Sequence, residues 1–510
     1  MNSLNLVMLL EHAARRCPEK ALLLCGEESW TYARVDAEAR GHAAALRGLG
    51  IRARDRVALL LPNEPSFALA FFGLLKLGAI PVPLNITTPG PELGHFLADS
   101  GAVALVADSQ VAAAAVDGVA QAATCQTLIL AGRPTAETPA ADAVWLDALV
   151  GQAPTDFETA LTRPEDEAVL LYTAGTTGRP RGVVLSHCNL LYSAQFVSRD
   201  FWQLGPSDVI LMVASGAHIF GQTLLNGACS AQATLCLLPR FDPKAFIQTI
   251  QTHRVTYFAG VPTLAHLLLQ SPLAAESDLS SLRGVMFGGA PLHPDVARQF
   301  KARFPVALTT GYGMTEGVPF TFMTASEFDA APAGTVGRPA LGMSLQIVDE
   351  QLAPVHGQEL GEIVVRGPQV FQGYLNQPEE TSHSMRGGWF HTGDVGWQDP
   401  EGYVFLVDRL KDMIKRAGYS VAPAEVERVL LLHPAVAEAA VIGIPDATRG
   451  EEIKAFVVLR PGASATVDDL IAHCQAHLAA YKYPRLVEFR DSLPKSPAGK
   501  VLRRVLRTDS

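Results

Sequence analysis

Apolar residues recur along this chain in short continuous runs, and helical patterns lie between the runs. Residues 33–49 and 65–77 carry apolar side chains at helical spacing, and a glycine follows each stretch. Residues 56–61 and 127–130 have the length and apolar character of buried strands. Because strands that alternate with helices form largely parallel sheets, the pattern predicts an α/β fold built from layered subdomains.

The pattern changes in the last third of the chain. Residues 334–366 contain short alternating strands separated by Gly and Pro, which predicts a small β subdomain. Further on, Pro423 has the position of a first-turn proline, and Val426, Val429 and Leu430 share one face of the helix that it would begin. The sequence therefore predicts a change of architecture towards the C-terminus.

Length and composition limit the classes of protein to consider. The chain has 510 residues, more than one compact core accommodates, so two or more domains are expected. Apolar residues make up 48% of the chain and charged residues 18%, a balance typical of a well-packed globular protein. With 41 basic and 51 acidic side chains, the net charge of −10 argues against general binding to nucleic acid.

The cysteines and the apolar segments bear on the cellular compartment. Seven scattered cysteines without a C-x-x-C pair favour reduced thiols over a zinc cluster or a disulfide framework. The first ten residues lack a basic leader, and residues 67–84 are interrupted by Lys76 and two prolines. These features predict a cytoplasmic protein without a membrane span.

The most informative stretch is residues 172–183, Tyr-Thr-Ala-Gly-Thr-Thr-Gly-Arg-Pro-Arg-Gly-Val, which follows an apolar run. Its glycines let backbone N–H groups face an anion, and its threonines and arginines add hydroxyl donors and fixed cations. A triphosphate suits such a loop, although the spacing is not that of a Walker A motif. A surface turn is the alternative for the glycines alone.

This string resembles the phosphate loop of the adenylate-forming superfamily, which includes acyl-CoA synthetases, beetle luciferases and the adenylation domains of peptide synthetases. Two positions differ from the commonest form of the motif, with Ala174 in place of Ser and Arg181 in place of Lys. The first change removes one hydroxyl, and the second keeps the charge with a different geometry. The resemblance implies that Thr173, Ala174, Gly175, Thr176, Thr177, Gly178 and Arg181 bind the nucleotide phosphates.

A second strong motif is Thr310-Gly311-Tyr312-Gly313-Met314-Thr315-Glu316. An aromatic residue between glycines presents a ring for stacking on a purine, and the hydroxyl and carboxylate beyond it suit a phosphate and its magnesium ion. The resemblance implies that Tyr312 packs on adenine, Thr315 contacts the α-phosphate and Glu316 holds Mg²⁺, with Thr173 as a second candidate metal ligand. It also implies that Gly288, Gly289, Ala290 and Pro291 form a wall of the adenine site and that Gly311, Gly313 and Met314 line it.

The acid site is predicted near His218, in Ser-Gly-Ala-His-Ile-Phe-Gly. A single histidine among apolar residues is more often a core residue, but the superfamily carries a histidine at this point beside its acyl pocket. The proline and aromatic residue that usually precede it are missing here. The predicted pocket residues are mostly apolar or small and include no basic side chain, which favours a monocarboxylic fatty or aromatic acid; they are Phe220, Gly221, Thr223, Gly313, Val318 and Pro319.

The remaining predicted site residues lie in the last quarter of the chain. The resemblance implies that Asp394 binds the ribose hydroxyls, that Arg409 contacts ribose or phosphate and that Lys411 lies at the pivot of a rotating C-terminal domain. Lys415 and Gly418 complete the predicted nucleotide-binding set. Lys500 matches the lysine that the family uses for adenylation. We therefore expect an AMP-binding domain over residues 1–408 and a small mobile α+β domain over residues 409–510.

The function that the resemblance implies is ATP-dependent activation of a carboxylic acid followed by transfer to coenzyme A. Lys500, Thr315, Glu316 and His218 are the predicted catalytic residues, and ATP, Mg²⁺ and coenzyme A are the predicted cofactors and substrates. Lys500 would offset the charge that builds on the α-phosphorus during attack. Two alternatives stay open: an acyl-AMP ligase that loads a carrier protein, and a luciferase-like or non-catalytic nucleotide-binding protein.

Overall fold

The structure is a computed structural model. It describes residues 3–132, 144–154, 156–173, 180–290, 292–417, 419–446, 448–495 and 501–508. The chain forms two compact units. The first comprises Met1–Leu345 and Val365–Phe390, and the second comprises Gln346–Val364 and His391–Ser510.

The helices of the described residues alternate with strands over most of the chain. They are α1 (Met8–Arg16), α2 (Tyr32–Gly48), α3 (Pro65–Leu77), α4 (Gly90–Ser100), α5 (Ala112–Ala120), α6 (Leu146–Val150), α7 (His187–Phe196), α8 (Ile219–Ala231), α9 (Pro243–Thr252), α10 (Pro262–Gln270), α11 (Pro272–Glu276), α12 (Pro294–Arg303), α13 (Ala325–Phe328), α14 (Pro378–Ser384), α15 (Pro423–Leu431), α16 (Val467–His477) and α17 (Arg503–Thr508). A π-helical turn, Val197–Phe201, follows α7, and a 3₁₀ turn spans Leu410–Asp412.

The strands of the described residues are short. They are β1 (Ala21–Cys25), β2 (Glu28–Thr31), β3 (Arg56–Leu60), β4 (Ile80–Pro83), β5 (Ala104–Asp108), β6 (Thr127–Ala131), β7 (Val144–Trp145), β8 (Glu167–Thr173), β9 (Arg181–Ser186), β10 (Val209–Met212), β11 (Thr234–Leu237), β12 (Tyr257–Gly260), β13 (Gly284–Phe287), β14 (Ala307–Met314), β15 (Gly317–Met323), β16 (Arg338–Pro339), β17 (Ser344–Val348), β18 (Gly361–Arg366), β19 (Gly373–Tyr374), β20 (Phe390–Gln398), β21 (Val404–Arg409), β22 (Ile414–Arg416), β23 (Tyr419–Val421), β24 (Val436–Asp446), β25 (Gly450–Leu459) and β26 (Leu486–Phe489).

The largest sheet of the first unit has nine strands among the described residues, in the order β16-β15-β14-β13-β12-β10-β11-β1-β2. Its central strands β10, β12, β13 and β14 run parallel, so their carboxyl ends meet at one edge. Phe258 and Phe287 on these strands pack edge-to-face in a row with Phe246 of α9 and Phe300 of α12. This aromatic row makes up the core on one face of the sheet and fixes the helices that cover it.

A second sheet of the first unit is entirely parallel, with the strand order β4-β3-β5-β6-β7. Helix α3 covers the range predicted from its apolar spacing, beginning with Pro65 and ending before Gly78, which has φ of +74°. Lys76 of α3 is fully buried and pairs with Glu11 at 2.6 Å and Asp36 at 2.8 Å. A three-stranded antiparallel sheet, β19-β9-β8, completes this unit.

The second unit contains a four-stranded sheet, β17-β18-β20-β21, and a C-terminal sheet, β23-β22-β25-β24, with β26 paired to β25. Val426 and Leu430 of α15 and Leu470 and Cys474 of α16 are buried against the C-terminal sheet. This unit begins earlier in the chain than residue 408, because it takes in the small β sheet. The domain boundary predicted at residue 408 and the pivot predicted at Lys411 stay predictions.

The predicted α/β class is confirmed, with a large N-terminal and a small C-terminal part. Among the described residues, no helix is both long enough and apolar enough to cross a membrane. The seven cysteines are all free, and four of them are buried.

Candidate active site

The first predicted site segment lies between β8 and β9. Thr173 ends β8 and pairs with Arg181, which begins β9, so the two strands bring both ends of the loop together. Ala174, Gly175, Thr176, Thr177 and Gly178 lie outside the described residues. The side chain of Arg181 is 12% exposed and pairs with Glu380 at 2.7 Å. Its guanidinium carbon is 5.2 Å from the ring centroid of Tyr374.

The predicted adenine-site segments lie at the carboxyl edge of the large sheet. The N–H of Gly288 donates to the carbonyl of Gly260, at the end of the neighbouring strand, at 3.0 Å. A Cβ on Gly288 would lie 3.7 Å from the carbonyl oxygen of Gly311 on the other neighbouring strand. Gly289 and Ala290 follow and are exposed, whereas Pro291 lies outside the described residues. The backbones of Gly260, Gly288 and Gly311 thus lie side by side across three neighbouring strands.

Residues 311–314 belong to β14, and β15 pairs with them in antiparallel fashion with a bulge between Tyr312 and Met314. A Cβ on Gly311 would lie 2.8 Å from the carbonyl oxygen of Thr321, so only glycine allows this close approach. A Cβ on Gly313 would likewise lie 2.9 Å from the carbonyl oxygen of Gly317. The ring of Tyr312 is 7% exposed and packs edge-to-face on Phe320, with centroids 5.6 Å apart.

Glu316 has a partner that the sequence did not indicate. The hydroxyl of Tyr374 donates to Oε1 of Glu316 at 2.8 Å, and the N–H of Phe371 donates to the carbonyl of Glu316 at 2.8 Å. Burial and the nearby carboxylate raise the pKa of Tyr374, so its hydroxyl keeps its proton at neutral pH. Strand β19 holds Tyr374 beside Val183 of β9. Glu316 and Arg181 are therefore both in contact with Tyr374. The neighbouring Thr315 is half-buried.

The predicted acid pocket is centred on the start of α8. His218 is the exposed N-cap residue of this helix, and its carbonyl accepts from the N–H of Gln222 at 3.0 Å. Phe220 is half-buried, and Thr223 donates its hydroxyl to the carbonyl of Ile219 at 2.8 Å. A Cβ on Gly221 would lie 2.2 Å from the carbonyl oxygen of Ser215, so the helix rests directly on the preceding loop.

The other predicted pocket residues, Val318 and Pro319, lie on β15 and are joined by a cis peptide bond. The hydroxyl of Ser193 in α7 donates to the carbonyl of Val318 at 2.5 Å. Val318 also packs closely against Gly313, because a Cβ on Gly313 would lie 3.0 Å from Cγ2 of Val318. The structure thus brings Val318 and Gly313 together next to the Tyr312 motif.

The second unit carries the predicted ribose-binding pair. Asp394 of β20 and Arg409 of β21 face each other across the strand pair, and the guanidinium Nε lies 2.6 Å from the Asp394 carboxylate. The Asp394 side chain is 10% exposed. Lys411 is exposed, and the ammonium of Lys415 lies 3.5 Å from the carboxylate of Glu350. Gly418 and Lys500 lie outside the described residues.

The donor set suits a hard divalent cation. Glu316 offers a carboxylate and Thr173 a hydroxyl, and Mg²⁺ prefers oxygen donors. Within the part of the chain that the structure describes, no cluster of three or more His, Cys, Asp and Glu side chains is arranged to hold a metal. Such a cluster is not required, because Mg²⁺ at nucleotide sites takes most of its remaining ligands from phosphate and water.

The chain is similar to known enzymes along most of its length. The sequence profile of the AMP-binding enzyme family matches residues 10–375, and that of the AMP-binding enzyme C-terminal domain matches residues 425–500. The chain is 38% identical over 500 residues to a feruloyl-CoA synthase from Amycolatopsis sp, covering 97% of this chain and 96% of that protein. It is 33% identical over 522 residues to a long-chain-fatty-acid–CoA ligase from Bacillus subtilis (strain 168), covering 98% and 93%.

A solved structure agrees closely in fold. The anthranilate CoA ligase AuaEII, in complex with anthranoyl-AMP, superposes with a TM-score of 0.92 at 29% identity, covering 99% of this chain and 97% of that chain.

Proposed function

This chain belongs to the family of AMP-binding enzymes and is an acid–thiol ligase of the acyl-CoA synthetase type, and we propose that its substrate is an aromatic or fatty monocarboxylic acid. ATP and coenzyme A are the co-substrates of this class of enzyme. In the first step the carboxylate attacks the α-phosphorus of ATP, which gives an acyl-adenylate and pyrophosphate. In the second step the thiol attacks the acyl carbonyl and AMP leaves.

The observation that carries the nucleotide part of the proposal is the contact of Tyr374 with both Arg181 and Glu316. This contact brings a cation from the phosphate-loop strand and a carboxylate from the Tyr312 motif to one side chain. A triphosphate needs both kinds of group, a cation for its oxygens and a carboxylate for its metal ion. Mg²⁺, bound by Glu316 and Thr173, would neutralise charge on the phosphates.

The other residues have separate tasks in the proposed mechanism. Tyr312 and the segment from Gly288 hold the adenine, and Asp394 accepts hydrogen bonds from the ribose hydroxyls. Thr315 contacts the α-phosphate, and His218 lies beside the acid pocket. Lys500 supplies a positive charge between two anionic reactants, which repel each other until that charge is present.

The acid is proposed from the side chains at the start of α8 and on β15. Phe220, Val318 and Pro319 are apolar, and none of the predicted pocket residues is basic, so a second carboxylate would lack a partner. A diacid is therefore disfavoured. Because the feruloyl-CoA synthase is the more similar of the two curated relatives, we place hydroxylated aromatic acids first and long-chain fatty acids second.

A pyrophosphate-release assay across acids tests this proposal directly. The set includes ferulate, benzoate, a series of straight-chain fatty acids and malonate, each with ATP, Mg²⁺ and coenzyme A. Turnover is expected with aromatic or fatty monocarboxylates, and malonate should give none above background. Turnover of malonate alone would contradict the proposed acid class, and failure of every acid would contradict the proposed activity.

The acceptor of the acyl group needs its own test. We propose coenzyme A, as the names of the relatives suggest, with a phosphopantetheinyl carrier protein as the second candidate. Preformed acyl-adenylate offered to both acceptors at equal concentration distinguishes them, because only the true acceptor should release AMP rapidly. We also propose a cytoplasmic location, which is supported by seven free cysteines. No specific observation favours a luciferase-like or non-catalytic role.

A further inference from the structure

Residues 496–500, which include Lys500, lie outside the described residues, and the described residues on both sides of them make defined contacts. Lys495 and Val501, which lie on either side of residues 496–500, pair with each other in an antiparallel β-bridge. Helix α17 follows, and its Leu506 is 1% exposed in a cluster with Ala440, Ile442 and Phe456 of the C-terminal sheet. The bridge and the buried leucine anchor the backbone that flanks the predicted catalytic lysine.

Arg503, the first residue of α17, contacts three carboxylates. Its guanidinium binds the Glu427 carboxylate through Nη2 at 2.7 Å and 2.9 Å and through Nε at 3.1 Å. Its Nη1 lies 3.3 Å from Asp408 and 3.4 Å from Asp412. The side chain is 20% exposed, and the three carboxylates are 3% to 16% exposed. One arginine therefore joins three largely buried acidic side chains.

The three acidic residues lie at different places relative to the predicted pivot, Lys411. Asp412 and Glu427 follow Lys411 in the chain and would move together with the tail in any rotation about it. Asp408 precedes Lys411, and its Oδ2 also accepts from the N–H of Ala424 at 2.8 Å, at the start of α15. Arg503 thus connects the tail to both sides of the predicted pivot.

We propose that Arg503 is a positioning residue for the adenylation step, because it connects the start of α17, three residues after Lys500 in the chain, to Glu427, Asp408 and Asp412 around the predicted pivot. The inference rests on the proposed function, since it assigns the adenylation step to Lys500. A planar guanidinium suits this task because it binds several carboxylates in fixed directions, whereas an ammonium acts as a point charge. Misplacement of a reacting group by about 1 Å costs roughly a hundredfold in rate.

The test separates the two half-reactions in Arg503→Met and Arg503→Lys. Adenylate formation is measured by acid-dependent exchange between ATP and pyrophosphate, and thioester formation by AMP release from preformed acyl-adenylate and coenzyme A. Exchange should fall by roughly tenfold to a hundredfold in Arg503→Met, while thioester formation stays within about threefold of the wild-type rate. Arg503→Lys should recover part of the exchange, because it retains the charge.

Lys495→Met is the matched control. It also removes a cation close to Lys500 in the chain, but Lys495 precedes Lys500 and its ion pair with Glu438, at 2.8 Å, is exposed. It should leave both half-reactions unchanged. Equal loss of both half-reactions in Arg503→Met at an unchanged melting temperature would overturn the proposal, and so would unchanged exchange. If Arg503→Met unfolds, Asp408→Asn removes only one of the three partners and should still lower exchange more than thioester formation. Lack of acid-dependent exchange in the wild type would instead contradict the proposed function.

Discussion

The hydroxyl of Tyr374 lies 2.8 Å from Oε1 of Glu316 and donates a hydrogen bond to it across 58 residues of chain. Tyr374 is 8% exposed and also lies under the guanidinium of Arg181. A hydrogen bond to a carboxylate in such a buried place fixes the direction of the free lone pairs. Tyr374 therefore orients the carboxylate that we propose as the magnesium ligand.

Tyr374→Phe removes this hydrogen bond and keeps the ring. We expect the rate of adenylate formation at limiting Mg²⁺ to fall by roughly tenfold, because a hydrogen bond to a charged group contributes about 1.5–3 kcal/mol. The measurement is ATP–pyrophosphate exchange as a function of Mg²⁺ concentration. Tyr192→Phe, which removes a tyrosine hydrogen bond to the carbonyl of Leu341 at 2.8 Å, is the control. Identical Mg²⁺ dependence in both variants would refute the role of Tyr374.

Asp394→Asn tests the predicted ribose contact within the second unit. The substitution keeps the shape of the side chain but removes the charge that faces Arg409 at 2.6 Å. The KM for ATP should rise by roughly tenfold, since a lost charged hydrogen bond costs about 1.5–3 kcal/mol, and the KM for the acid should change little. Asp399→Asn, in the turn after β20, is the control and should bind ATP normally. A rise in the KM for the acid alone would exclude Asp394 from the nucleotide site.

Local patterns in the sequence were sufficient for much of the fold. Helix α3 has the predicted bounds, because a proline, an apolar stretch and a glycine define it within 14 residues of chain. Helix α15 begins at Pro423, as predicted. The partners of Glu316 and Arg503 could not be predicted in this way, because those contacts join residues 58 and 76 positions apart and no periodic pattern marks them. The motifs predict which residues bind the nucleotide, but they do not predict the contact of Tyr374 with Glu316 or that of Arg503 with Glu427.

Two glycines of α8 should respond differently to the same substitution. Gly227 is buried, yet there is open space beside it. A Cβ on Gly227 would lie more than 4 Å from every atom outside its chain neighbours and the backbone of its own helix. Gly227→Ala should therefore keep or raise the free energy of unfolding, by up to about 1 kcal/mol. Gly221→Ala should have the opposite effect and lower the free energy of unfolding by about 1–3 kcal/mol, because the added Cβ would lie 2.2 Å from the carbonyl oxygen of Ser215. Thermal unfolding of both variants distinguishes the two cases, and equal shifts would contradict the expectation.

The same helix offers a test of the acid pocket. Gly227 lies one turn beyond Thr223 on α8, so the open space beside it is on the face that carries a predicted pocket residue. Gly227→Leu fills this space, and turnover of the longest accepted acid should fall relative to that of the shortest. The acid series used for the wild type measures this ratio. If turnover falls by the same factor for all acids, the space beside Gly227 lies outside the acid pocket.

Stability should depend on pH through His187, the first residue of α7. This side chain is 2% exposed, and its Nδ1 accepts from the N–H of Leu6 at 3.1 Å, which requires the neutral ring. Burial lowers the pKa of His187 to about 4, against about 6.5 in the unfolded chain. Between these values the unfolded state binds a proton that the folded state does not, so the free energy of unfolding decreases as pH falls from about 6.5 to about 4. The loss amounts to about 3 kcal/mol across this window and ends below it.

His187→Asn isolates this contribution, because an amide oxygen is able to accept from the Leu6 N–H without titrating. The stability of the wild type and of the variant should change in parallel above pH 7 and diverge below it, with the wild type losing more. Subtraction of the two curves removes the effect of His42, whose pKa burial also lowers. Denaturant unfolding at pH 7, 6, 5 and 4 measures the difference. A difference that is constant over this range would mean that His187 has the same pKa in the folded and the unfolded protein, contrary to its position at the buried start of α7.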